Sequence, residues 1–144
     1  MDKWVLLEHE VYNAKSKDIH YDFLVENGIE CLTWKFLKLP LLNQASIEIT
    51  KQPNHRLVWL SRIEHELSDN RGFVKRIDHG IFKSVSDKLD SEYYRFILDG
   101  ELLRGLFEIS GNFCISHNPN RFWISSCSYC WSWKFAIHRF KICS

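Results

Sequence analysis

The sequence predicts a mainly β protein: a single compact antiparallel β-barrel with short loops and little helix. Three observations carry that expectation. Roughly nine short runs of aromatic and branched residues follow one another closely, with hardly any 3.6-residue period. Two pairs of these runs are joined at Asn27-Gly28 and Asp99-Gly100, dipeptides that accept the positive φ a tight hairpin demands. A hydrophobic content of 45% and an aromatic content of 15% over 144 residues suffice for one domain with its own core.

Residues 4–9, Trp-Val-Leu-Leu-Glu-His, read as a first strand that delivers His9 at its end, and the polar, aperiodic residues 10–19 read as a loop. Residues 20–34 form the first hairpin. A two-residue turn at Asn27-Gly28 sets Tyr21 against Trp34, Phe23 against Leu32 and Val25 against Glu30, which gives one mainly apolar surface. The other surface carries His20, Asp22, Leu24 and Glu26 opposite Lys35, Thr33, Cys31 and Ile29. An imidazole and a carboxylate two residues apart on one strand project side by side. That is either an ordinary solvated face or a place where a cation or phosphate is held.

Pro40 ends the second hairpin strand. Residues 47–50 alternate as a brief strand, residues 52–54 turn, and residues 55–60 make a further strand. Residues 64–70 read as a helical turn or a loop. Strands at 73–78 and 81–83 are separated by the turn chemistry of Asp78-His79-Gly80. Residues 93–109 form the second hairpin, and 113–115 and 122–124 are the last strands. Phe23, Val25, Leu32, Trp34, Phe96, Leu98 and Leu102 are the expected buried residues, while His65, His79 and His117 read as exposed loop histidines.

Residues 1–126 are thus expected to form the barrel domain, followed at 127–144 by a tail rich in cysteines and aromatics. Cys127, Cys130, His138 and Cys143 have the ligand types of a structural zinc site. An apolar tail or last strand packed on the barrel is the alternative. The net charge is +1, so any nucleic-acid binding requires a local patch, not a global field. Lys35, Lys38, Arg56, Arg62, Arg71, Lys75 and Arg76, interleaved with Trp34, Trp59 and Phe73, offer charges and stacking faces for one, with a mixed-charge surface as the alternative. Five cysteines, an odd number, without a secretory pattern before them point to a reducing cytoplasm. No apolar run is long enough to span a bilayer, and a monomer is expected.

Read in order, six pieces of the chain resemble a known family: residues 4–9 ending in His9; His20-Tyr-Asp-Phe-Leu-Val-Glu26; Gly28 and Trp34; His55-Arg-Leu-Val-Trp59; residues 70–80; and residues 96–105. The family is the 3′-phosphoesterase domain at the N-terminus of bacterial DNA ligase D, and especially its small stand-alone relatives. The resemblance implies a compact β-barrel that removes a 3′-terminal ribonucleotide and then a 3′-phosphate with manganese, healing DNA or RNA–DNA ends for a separate ligase or polymerase. It implies that His9, His20 and Asp22 hold the metal, since imidazole and carboxylate suit manganese and leave positions open for water and a phosphate oxygen. A further family histidine that contacts the scissile phosphate falls on His55. Arg56, Arg71, Arg76, Lys35 and Trp59 are the candidate phosphate- and nucleic-acid-binding residues.

This chain departs from the family's pattern in three respects. Leu24 stands where the catalytic enzymes carry a phosphate-clamping arginine, although the stand-alone relatives share the leucine. Trp59 stands where they carry a tyrosine, and ten residues separate His9 from His20. Sharing a face with His20 and Asp22, Leu24 is expected to border the phosphate site, so that an arginine there would raise activity. A non-catalytic module that binds nucleic-acid ends or a repair protein is the alternative reading.

Overall fold

The computed structural model describes residues 2–13, 15–39, 46–85 and 93–116. Pro40, His117, the strand expected at 122–124 and the cluster of Cys127, Cys130, His138 and Cys143 lie outside the described residues. Nine strands are described: β1 (Lys3–Tyr12), β2 (Lys17–Asn27), β3 (Glu30–Phe36), β4 (Ile47–Arg56), β5 (Glu64–Leu67), β6 (Gly72–Ser84), β7 (Tyr93–Asp99), β8 (Arg104–Ser110) and β9 (Phe113–Ser116). Eight of them close into an antiparallel barrel in the order β1-β2-β3-β4-β9-β8-β7-β6, with β6 pairing back onto β1. The fifth strand stays outside the ring and pairs with the first residues of β6.

Alternation decides which residues fill the barrel. Trp4 and Leu6 of β1, Phe23 and Val25 of β2, Trp34 and Phe36 of β3, Phe96 and Leu98 of β7, and Phe107 and Ile109 of β8 meet in the interior. Phe23 is the centre of this aromatic core, with ring centroids 5.1 Å from Phe107, 5.8 Å from Trp4, 6.0 Å from Phe36 and 6.1 Å from Trp34. Of the expected core, Leu32 is half-buried against this cluster, and Leu102 is 52% exposed while its neighbour Leu103 is buried.

Several boundaries differ from the sequence expectation, each for a physical reason. Residues 10–19 are mostly strand, because β1 and β2 pair without interruption from Trp4↔Val25 to Tyr12↔Lys17 and the ladder overrides polar composition. In the first hairpin the turn is Gly28-Ile29, one residue later than expected, with positive φ at Gly28 alone. Phe23 therefore faces Trp34, Val25 faces Leu32 and Asp22 faces Lys35. Moving the turn by one residue shifts every partner by two, so each side chain keeps its face. Pro53 lies inside β4, opposite Leu32 at a register shift, where a residue without an N–H is tolerated. Residues 57–60 form a 3-10 segment instead of a strand. Asp78-His79-Gly80 is no turn: β6 runs straight through it, with a bulge where Leu6 pairs with Asp78 and Leu7 with Arg76.

The buried Asp78 carboxylate ties the second hairpin to the barrel. Its Oδ1 accepts the backbone N–H groups of His79 and Glu101 at 2.9 and 3.0 Å, and its Oδ2 accepts those of Leu102 and Leu103 at 3.0 and 2.8 Å. The loop between Asp99 and Arg104 is accordingly four residues long rather than a tight Asp-Gly turn. Gly100 fits because a Cβ there would meet Asp78 Oδ2 at 2.5 Å and the Trp4 ring at 2.6 Å. Asp78→Ala, which leaves these amides without an acceptor, should lower unfolding stability by about 3–5 kcal/mol in urea titrations.

Candidate metal centre

His9 and His20 are cross-strand partners on β1 and β2, and Asp22 follows two residues along β2 on the same face. The opposite face of these strands carries Trp4, Leu6, Phe23 and Val25 into the barrel, so the three side chains stand on its outer wall. There the imidazoles converge on one carboxylate oxygen, with His9 Nδ1 at 3.6 Å and His20 Nε2 at 3.4 Å from Asp22 Oδ2. The two rings lie 4.5 Å apart at 60°, and one ligand atom from each of the three residues falls within 4.8 Å of the others.

These gaps exceed the roughly 2.7–3.2 Å of a good hydrogen bond. They suit neighbouring ligands around an ion bound at about 2.0–2.3 Å, and nitrogen and oxygen donors suit a divalent transition metal. His9 Nε2 is buried without a hydrogen-bond partner, so this imidazole is not held by an alternative polar contact. Burial alone would raise the pKa of the Asp22 carboxyl, yet the imidazoles of His20 and His9 outweigh it and hold the group at about 2. The folded value is thus below the unfolded one. Its contribution to stability is complete above the ordinary carboxylate range and is lost as pH falls through about 2. At any milder pH Asp22 is an ionised ligand.

The remaining expected site residues separate by register. Lys35 is the direct partner of Asp22 on β3, and Arg76 lies in the same cross-strand row on the other side of Leu7. Arg76 also lines a neighbouring groove with Lys3, His79 and Arg104. Arg71 is committed to the adjacent turn, donating to the Ser68 carbonyl at 2.9 Å and the Ser68 hydroxyl at 2.8 Å. Arg56 is exposed at the end of β4, opposite Glu30. His55 pairs with Cys31, which pairs with Glu26, so its backbone stands two strands across and four residues along from Asp22, roughly 16 Å at ordinary strand spacings. Its Nδ1 lies 2.9 Å from the Pro53 carbonyl. The fold therefore brings His9, His20, Asp22 and Lys35 together and leaves His55 and Arg56 at a distance.

Leu24 corrects an expectation. It does share the face of His20 and Asp22, but it is fully buried. With Val5, Leu7, Cys31 and Val74 it forms a second apolar cluster on the outer wall, roofed by Leu57, Trp59 and Leu60 of the 3-10 segment and by Leu67 of β5. Leu24 thus borders a closed roof, not an open phosphate site. Burial also pushes the Cys31 thiol up to about 11, with the charge of Glu26 acting in the same sense, so this cysteine is no nucleophile.

One histidine in the row of the triad differs from the sequence expectation of an exposed loop residue. His65 lies on β5, half-buried, and its partner Val74 is in turn the partner of His9. The alternation Glu64-His65-Glu66-Leu67 is the signal that identifies a strand there and turns His65 to the face of Leu67. Trp59 contacts it edge-to-face at 5.4 Å and 87°.

Placing a charge under the roof should be costly. Leu24→Arg is expected to destabilise the fold by about 3–5 kcal/mol in denaturant titrations, whatever it does at the triad. No protein-family model matches the chain, and no curated protein matches it.

Proposed function

We propose that this chain is a metal-dependent, phosphoesterase-like protein of DNA repair that acts on nucleic-acid 3′ ends, removing a 3′-phosphate or 3′-ribonucleotide. The observation that carries the proposal is the convergence of two imidazoles and an ionised carboxylate at ligand spacing on the outer wall of the barrel. A bound divalent ion, manganese in this reading, would polarise a phosphate oxygen and activate water. His9, His20 and Asp22 would hold it, and Lys35 beside Asp22 would offset the negative charge of the substrate. The resemblance to the ligase D domain supplies the substrate class, DNA or RNA–DNA 3′ ends, together with a separate ligase or polymerase as partner, and the cysteine usage suggests the cytoplasm as location. Among the described residues, no helix is long and apolar enough to cross a membrane.

The sealed position of Leu24 favours a second reading. Neither a guanidinium nor a tyrosine hydroxyl stands where the resembled enzymes have them, and His55 lies far from the triad along the strands. Such a protein would bind nucleic-acid ends or a repair protein through the same surface without turning them over.

Manganese titration of the purified protein, with metal analysis, should find one equivalent bound. Asp22→Ala should weaken binding by at least tenfold with the fold retained by circular dichroism. Release of 3′-phosphate from an oligonucleotide should then be manganese-dependent but about 10²–10³ slower than an enzyme with a full donor set. Failure to bind any divalent metal would sink the proposal. Metal binding and retention of 3′-phosphorylated DNA without phosphate release would establish the non-catalytic reading.

A further inference from the structure

Trp59 has no hydroxyl to offer a phosphate, but it organises two groups that do carry donors. The Arg62 guanidinium lies over its ring at 4.7 Å, and the His65 imidazole meets it edge-to-face at 5.4 Å. Trp59 is itself fixed by packing on the apolar cluster of Leu24, Leu7 and Val74. Both Arg62 and His65 are half-buried, and neither side chain has a hydrogen-bond or ion-pair partner among the described residues. A held guanidinium with all its donors unused and an imidazole in the same state, both against the one ring of Trp59, suit an anion.

The position of His65 relative to the triad follows from the ladder, and Arg62 is tied to His65 through the ring of Trp59. His65, Val74, His9 and His20 occupy one cross-strand row on β5, β6, β1 and β2, and partners in a row share a face. Two strand spacings of about 4.8 Å each separate the backbone of His65 from that of His9, about 10 Å in all. That is too far for a phosphate group seated on the triad to touch His65. It is within reach of the next phosphodiester along the same strand.

We propose that Arg62 and His65, braced by Trp59, form a second phosphate subsite. It takes the phosphodiester adjoining the terminal group, so the ligand is a single strand with a phosphorylated 3′ end and not a mononucleotide. The proposal rests on the metal-centre reading for the position of the terminal group, but the subsite itself needs no metal. Its two side chains are binding residues, and they meet the strand through charge and hydrogen bonding to the backbone, independent of base sequence.

The test uses the full chain and fluorescence anisotropy with a short, 3′-phosphorylated single-stranded DNA. A 3′-mononucleotide and manganese are titrated separately as controls. Arg62→Ala and His65→Phe, the latter keeping a ring against Trp59, should each weaken oligonucleotide binding about tenfold. Manganese affinity and mononucleotide affinity should be unchanged. Arg62→Ala should also reduce the slope of log affinity against log salt by about 0.7, as loss of one phosphate contact on a single strand does and loss of a packing contact does not. Oligonucleotide affinity and salt slope unaltered in both variants would overturn the subsite. Loss that extends equally to the mononucleotide and to manganese would also overturn it, since the variants would then be acting through the fold. If wild type binds no metal but retains the dependence on Arg62 and His65, the subsite stands and the metal-centre reading falls.

Discussion

The structure depends on β1 pairing on both sides, with β2 along one edge and β6 along the other. Without the β1–β6 ladder the eight strands would form an open sheet with two long unpaired edges. The same two ladders assemble the candidate site. The β1–β2 register sets His9 against His20, and the β1–β6 register extends that row through Val74 to His65. The bulge between Leu6 and Leu7 lets β6 keep Val74 and Arg76 on the outer wall while Asp78 reaches in under the Gly100 loop. Barrel closure and ligand spacing are therefore one geometric fact, and a slip of one residue in β1 would undo both.

Burial on both faces of β1 and β2 gives the site its electrostatic character. Trp4-Val5-Leu6-Leu7 is an unbroken apolar run, which an antiparallel strand carries only when both of its faces are covered. The aromatic core covers the inner face, and the segment Leu57–Leu60 with Leu67 covers the outer one. The triad sits at the edge of that roof, partly shielded from water, where a carboxylate survives only through the imidazoles that face it. An ion bound there would interact with a phosphate more strongly than it would on an open strand.

How much of this was legible in the sequence depended on the range of the deciding interaction. Alternation and turn dipeptides foretold the barrel and both hairpins, because they act over a few residues. The facing of His20, Asp22 and Leu24 was legible as well, since a two-residue error in the partners of Phe23 and Val25 leaves the face of each unchanged. Strand ends were not, because the polar stretch from Glu10 to Tyr12 is strand only by virtue of its partners. The roof was hidden too. Residues 55–60 have strand-like composition, and only the packing of Leu57, Trp59 and Leu60 on Leu24 makes most of them a 3-10 turn. His65 was lost with it, since its importance comes from a row four strands wide.

Leu24 and Trp59, counted from the sequence as two separate departures from the ligase D pattern, belong to one packed unit. Leu24 is fully buried in the cluster that Trp59 helps to cover, so each supplies the surface the other needs. Introducing an arginine at Leu24 alone would place a cation beneath Trp59, and changing Trp59 alone would uncover Leu24, Leu7 and Val74. In this chain the pair forms part of an apolar roof, and the ring of Trp59 carries Arg62 and His65. Donors carried above the roof would do for a strand what a guanidinium at Leu24 would do for a terminal phosphate. On the proposed reading, Leu24 and Trp59 together would favour the grip on a polynucleotide chain over the grip on its terminal phosphate.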